Sequence, residues 1–342
     1  MRLETGADLG EDMRPVPCPP GGTAMTTRLQ SLAQSSTIVA DTGEIGLIER
    51  FRPQDCTTNP SLLLKAAQVE DYRELVDEAV AWGKGRTGSR EDDVDAIMDR
   101  LAVNFGRELT RLVPGYVSTE VDAALSFDTA GTIEKAHRLI DLYAELDVPA
   151  ERILIKVAST WEGVQAAREL QRSGINCNMT LIFNQVQAVA CAEADAFLIS
   201  PFVGRITDWY KASTGKDYAP EDDPGVQSVR SIFEYFKAHG HQTVVMAASF
   251  RTTGQVEALA GCDRLTISPQ LLDELSGREG EVPLRLDAAA AGKADIPAID
   301  ASERGFRWAI NEDAMATEKL AEGIRRFHAD AEKLRQHLAK LV

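Results

Sequence analysis

A chain of 342 residues, 44% hydrophobic and 26% charged, has room for two ordinary domains or one large α/β barrel, with enough apolar side chain for a sizeable core. Its formal net charge of −16 argues against a nucleic-acid-binding surface, which needs a basic face, and no apolar run approaches the length that spans a bilayer. Five cysteines (Cys18, Cys56, Cys177, Cys191, Cys262) are scattered without a C-x-x-C pair and read as free thiols of a reducing, cytoplasmic setting; no H-E-x-x-H or H-x-x-E-H pattern signals a metal centre, and no Ser-His-Asp triad is signalled.

Residues 1–24 are rich in Pro, Gly and acidic side chains and lack any periodicity. They also lack the basic-then-apolar order of a secretory signal, and read as a disordered extension ahead of a single domain over 25–342. From there short β-rich runs alternate with helical patterns. The runs are STIVADT (36–42), QDCTTN (54–59), GYVSTEVD (115–122), RILIKVAS (152–159), NCNMTLIF (176–183), AFLISPFV (196–203), QTVVMAAS (242–249) and RLTISP (264–269). Between them lie stretches such as 61–84, 132–146 and 161–174, where apolar residues recur at i, i+3 and i+4. Strands alternating with helices mean βαβ units and a parallel sheet. Eight of them predict a (β/α)8 TIM barrel with additional C-terminal helices rather than an open doubly wound sheet, and no G-x-G-x-x-G follows the first strand. Past the eighth strand comes a loop-like Ala/Gly stretch (287–294). A final helix follows, with an apolar stripe of Met315, Leu320, Ile324, Phe327, Leu334 and Leu338. That helix is expected to pack on the barrel's outside; covering the barrel mouth is the alternative.

In such a barrel, residues of one parity point inward and catalytic groups sit at the C-terminal strand ends. The first strand ends in Asp41, the second carries Thr57 and Asn59, and the third ends in Glu120. On the fourth, Lys156 shares a face with Leu154 and Ala158. The fifth has Asn176, Asn178 and Thr180 on one face and Cys177, Met179 and Leu181 on the other. The sixth has Ser200 and Phe202, the seventh Ser249 and Arg251. A lysine in a strand as apolar as ILIKVA (153–158) has two readings. It sits partly exposed at the strand end and extends its ammonium to water, or it serves in its neutral form as an amine nucleophile for a carbonyl.

Hydrogen-bonded structural networks explain two or three buried polar groups, Asn176 among them, but explain poorly a lysine, two carboxylates, two asparagines and an arginine facing one another. The set favours the nucleophile. A lysine among uncharged hydrogen-bonding groups, with separate acids to move protons, suits Schiff-base chemistry on a ketone. Arg205, just past the sixth strand, and Arg251, just past the seventh, read singly as surface ion-pair residues and together as a phosphate clamp.

The segments ADTGE (40–44), TTNPSLLL (57–64), STEVD (118–122), ILIKVASTWEGVQAA (153–167), NCNMTLIF (176–183), ISPFVGRITDWYK (199–211) and ASFR (248–251) carry a resemblance to the transaldolases of the pentose phosphate pathway over nearly the whole chain from Met25. The resemblance implies a (β/α)8 enzyme without metal or cofactor, a cytoplasmic homodimer acting on small sugar phosphates. It would transfer a dihydroxyacetone unit from sedoheptulose 7-phosphate to glyceraldehyde 3-phosphate, giving erythrose 4-phosphate and fructose 6-phosphate. It further implies Lys156 as Schiff-base nucleophile and Asp41 as the base for C3–C4 cleavage. Glu120 would relay protons through a water held by Thr180. Asn59, Asn178 and Ser200, beside Thr57, would hold the three-carbon unit, with Arg205, Ser249 and Arg251 on the phosphate and Phe202 as an apolar wall. Cys56 stands where the family usually has a smaller residue, with outward parity, and the polar NQVQ (184–187) marks a difference at the rim. Two other functions fit parts of the pattern: a metal-free aldolase acting on fructose 6-phosphate or free dihydroxyacetone, and a sugar-phosphate-binding barrel without catalysis.

Overall fold

Each of the eight predicted runs contains a strand in the computed structural model, which describes residues 26–342. The expected disordered extension over 1–24, and Cys18 with it, lie outside the described residues. The strands are β1 (Thr37–Asp41), β2 (Asp55–Thr57), β3 (Val117–Glu120), β4 (Ile153–Ala158), β5 (Cys177–Ile182), β6 (Leu198–Pro201), β7 (Val244–Ala247) and β8 (Arg264–Ile267). They run parallel in chain order, and β1 pairs with β8 to close the barrel. Closure leaves no sheet edge. Helices cover the outside, which is why the outward-facing strand residues are largely apolar.

The helices begin almost where the strands end, so their capping residues lie in the same loops as the polar residues singled out above. Asn59 caps Pro60–Ala66 by accepting a hydrogen bond from the Leu62 N–H, and Thr160 caps Trp161–Arg172 through the Gly163 N–H. Inside the barrel, the N-terminal end is closed by an Arg264–Asp55 ion pair, with the guanidinium over the rings of Tyr116 (5.3 Å) and Phe197 (5.9 Å). Above it Val39, Leu154, Leu198 and Met246 form an apolar block. Among the described residues, the barrel's interior is therefore open at its C-terminal end.

Two expectations are corrected. Leu181 does not share the outward face of Cys177 and Met179. The register slips between Met179 and Ile182, Leu181 adopts φ +57°, and Ile182 takes the outward place among the helices. Leu181 turns instead to the mouth, against Phe183 and Phe202. A left-handed leucine is costly and persists only where its surroundings impose it.

The second correction concerns the last helix, Ala314–Leu338, which is not confined to the barrel's outside. Its stripe divides. Met315, Leu320, Ile324 and Phe327 pack over the mouth with Leu181, Phe202 and Ile206, while Leu334 and Leu338 pack outside with Ile97, Leu101 and Phe105. Gly323 permits the approach: a Cβ there would stand 2.7 Å from a Leu181 methyl and 3.4 Å from Arg205 Nη1.

Candidate active site

Lys156 lies on β4, all six of whose residues are buried, in register with Glu120 on β3 and Asn178 on β5. It is 5% exposed, so the strand-end reading in which its ammonium reaches water is corrected. Its Nζ lies 3.2 Å from Glu120 Oε2 and donates to the Thr58 carbonyl oxygen at 3.1 Å. Burial raises the Glu120 carboxyl above its ordinary range; the charges of Lys156 and Arg205 oppose the shift. A carboxylate with heightened proton affinity beside an amine can exchange a proton with it.

Asp41, ending β1, accepts a hydrogen bond from Thr57 Oγ1 at 3.1 Å. Burial raises its pKa, with Lys156, Thr57 and Arg205 pulling it back. Thr57 Oγ1 also lies 3.2 Å from Thr266 Oγ1 of β8, fixing the Asp41 carboxylate from the side. Asn178 is fully buried: its Oδ1 accepts from Ser200 Oγ at 2.7 Å and its Nδ2 donates to Ser118 Oγ at 3.0 Å. Thr180 Oγ1 is buried and, among the described residues, has no hydrogen-bond partner. Asn176 behaves as the structural residue expected, 3.4 Å from Gln171 Nε2.

These groups surround a cavity of about 300 Å³ opening at the C-terminal end of the barrel. Ten of the twelve expected site residues line it: Asp41, Thr57, Asn59, Lys156, Thr180, Ser200, Phe202, Arg205, Ser249 and Arg251. Glu120 and Asn178 stand one side chain back, behind Lys156 and Ser200. Asn59 spends its carbonyl oxygen on the helix cap, which leaves its NH₂ for the cavity.

Of the additional lining residues, Met246, Ala248 and Phe250 are apolar wall, and four others bear on the chemistry: Thr266 and Ser268 of the eighth strand and its exit, and Arg326 and Phe327 of the last helix. The first two were readable, since they alternate with Leu265 and Ile267. The other two follow from no barrel parity, because they come from the helix over the mouth. Phe327 faces Lys156 Nζ at 5.9 Å from its centroid, and the Arg205 guanidinium stacks between Phe202 (4.8 Å) and Phe327 (5.4 Å). Arg205, Arg251 and Arg326 thus converge, and burial with this mutual repulsion depresses Arg205 to about 10. Three guanidinium groups held together favour a multiply charged anion.

Backbone geometry beside these arginines is tight. Ser249 has φ +63°, and the Gly204 N–H donates to the Ser249 carbonyl oxygen at 2.8 Å. A Cβ on Gly204 would fall 2.4 Å from that oxygen and 2.6 Å from Arg251 Cγ. Gly204→Ala is therefore expected to push Arg251 out of place, raising KM for a phosphorylated substrate about tenfold and costing ~1–3 kcal/mol of stability. Steady-state kinetics and urea unfolding measure the two effects.

Residues 38–338 match the family model described as Transaldolase/Fructose-6-phosphate aldolase. The transaldolase of Alteromonas mediterranea is 57% identical over 311 residues, 91% of this chain and 97% of that one. Those of a Marinomonas species (56% over 318 residues, 93% and 100%) and of Rhizobium leguminosarum bv. trifolii (55% over 316 residues, 92% and 98%) are similarly close.

Proposed function

The chain belongs to the transaldolase/fructose-6-phosphate aldolase family, and on that premise we propose which of its residues carry each step of the transaldolase reaction. The reaction moves a dihydroxyacetone unit from sedoheptulose 7-phosphate to glyceraldehyde 3-phosphate. Lys156 attacks the ketose carbonyl as a neutral amine. Glu120, 3.2 Å away, takes the ammonium proton and returns it, through a water on the Thr180 hydroxyl, to the departing carbinolamine oxygen. The protonated imine is then the electron sink. Asp41 removes the C4 hydroxyl proton, the C3–C4 bond breaks, erythrose 4-phosphate departs and the three-carbon enamine stays on Lys156. Its carbon adds to the aldehyde of glyceraldehyde 3-phosphate, Asp41 returns the proton to the new hydroxyl, and hydrolysis of the imine releases fructose 6-phosphate.

Asn59 and Ser200 hold the hydroxyls of the three-carbon unit, with Asn178 orienting Ser200 from behind and Thr57 keeping Asp41 in line. Arg205, Ser249 and Arg251, joined by Arg326, hold the phosphate. Phe202 packs edge-on against Phe183 at 5.4 Å and offers the enamine no proton, which favours holding the unit for transfer over releasing it as an aldolase does. The observation that carries this reading is the buried Lys156–Glu120 pair at the base of a cavity rimmed by arginines. The test is incubation with fructose 6-phosphate and erythrose 4-phosphate. Sedoheptulose 7-phosphate should form without free dihydroxyacetone; release of dihydroxyacetone in its place would support the aldolase alternative.

We assign no metal or cofactor to the reaction, since the imine supplies the electron sink. Among the described residues no group of three or more His, Cys, Asp or Glu could hold a metal ion. Activity is accordingly expected to be unchanged in EDTA; loss restored by a divalent ion would refute this. A cytoplasmic location accords with four buried, unpaired cysteines (Cys56, Cys177, Cys191, Cys262), and no described helix is long and apolar enough to cross a membrane. A homodimer is proposed from the family and is checked by light scattering.

A further inference from the structure

We infer that Asp208, which lines no part of the cavity, is a positioning residue that holds Arg251 in its phosphate-binding orientation. The inference rests on the phosphate reading of Arg205, Ser249 and Arg251. Arg251 is half exposed and sits on a loop after β7, where a long side chain would sample many rotamers. Here its guanidinium has partners on two sides. Its Nε and Nη2 both donate to Asp208 Oδ2, at 3.1 and 2.8 Å. Its Nη1 lies 3.2 Å from the Ser249 carbonyl oxygen and 3.3 Å from Ser249 Oγ. Two edges of the guanidinium are thereby fixed, and the plane is set.

The backbone beneath is fixed from the same helix, Gly204–Thr214. The Arg251 N–H donates to Gln255 Oε1 at 2.7 Å, and Gln255 Nε2 donates to Thr207 Oγ1 at 3.1 Å and to Asp223 Oδ2 at 2.8 Å. Thr207 and Asp208 are consecutive, so one turn of this helix secures both the main chain and the head group of Arg251. Arg205, on the first turn of the same helix, is carried by the same frame.

Folding stability does not account for the Asp208–Arg251 pair. Both partners are half exposed, at 42% and 50%, and such pairs contribute little. What a two-pronged contact to one oxygen supplies is orientation, so that phosphate binding need not freeze a mobile arginine. Arg326 has a looser counterpart in Glu322, 3.7 Å away, and that carboxylate is also held by Lys319 at 2.6 Å. Asp208 is the tighter hold.

The test uses Asp208→Ala and Asp208→Asn, with inorganic phosphate as the probe. Asp208→Ala should weaken competitive inhibition by phosphate, and raise KM for fructose 6-phosphate, each about tenfold. Asp208→Asn keeps an acceptor oxygen for the guanidinium and should recover most of that loss. Inactivation by dihydroxyacetone with borohydride needs Lys156 but no phosphate, and should proceed at the wild-type rate in both variants. If phosphate inhibits wild type and Asp208→Ala equally, or binds both variants more tightly, the positioning role is wrong while the phosphate site stands. If phosphate and dihydroxyacetone reactivity fall together, Asp208 supports the site only generally and the inference fails. If phosphate does not compete with fructose 6-phosphate in the wild type, the arginine site itself is misread and the inference falls with it.

Discussion

Neither Lys156→Ala nor Lys156→Arg is expected to transfer the three-carbon unit. The loss should exceed the about 10,000-fold that marks removal of a single acid or base, because the covalent intermediate itself cannot form. Guanidinium stays protonated and cannot become the imine, so arginine is no conservative replacement here. The structure adds a consequence that the sequence concealed. Lys156 is buried against a buried Glu120, and removing one partner of such a pair typically costs ~3–5 kcal/mol. Burial already raises the Glu120 carboxyl, so in Lys156→Ala it can relieve the cost by taking up a proton. The double variant Lys156→Ala/Glu120→Gln should therefore recover stability but not activity. Measurable transfer by any of the three, in enzyme free of host background, would contradict the Schiff-base role; urea unfolding reports the stability arm.

Asp41, half-buried, and Glu120, whose side chain is buried, are both raised by desolvation and both opposed by Lys156, yet the chemistry gives them different steps. Asp41→Ala should still allow the amine to condense with fructose 6-phosphate. Uncleaved imine should then accumulate, and borohydride should fix the whole six-carbon sugar phosphate to Lys156. Glu120→Ala should slow imine formation itself and yield little adduct of any size at short times. Each defect should be about 100- to 10,000-fold, the usual contribution of one placed proton-transfer group. Intact-protein mass spectrometry separates the cases. A three-carbon adduct from Asp41→Ala, or wild-type trapping by Glu120→Ala, would show that the two roles are exchanged or shared.

The barrel was legible because its strands carry a two-residue alternation with polar groups gathered at one end, and because the stretches between them repeat apolar residues at i, i+3 and i+4. Lys156, Asp41 and Glu120 stood out for the same reason, as charges where a parallel sheet is otherwise apolar. Thr266 and Ser268 obeyed the rule just as well but carry no charge to draw notice. Leu181 broke it, since a register slip reverses alternation without leaving a mark in residue type. The last helix was read by its stripe alone, and a stripe says that a face is buried without saying against what. Its first half meets the mouth and its second half the outer helices, so Arg326 and Phe327 reach the cavity from a direction that strand parity does not describe. The burial of Lys156 was likewise invisible, because it depends on Phe327 and on the ion pair with Glu120.

The most direct measurement is reduction of the wild-type protein with borohydride in the presence of fructose 6-phosphate, followed by peptide mapping. With Asp41 in place, cleavage should precede trapping. The peptide containing ILIKVAST (153–160) should then carry a three-carbon adduct on Lys156, and activity should disappear in proportion to it. A protein that turns over fructose 6-phosphate yet carries no adduct at Lys156, or carries it on another lysine, would contradict the account.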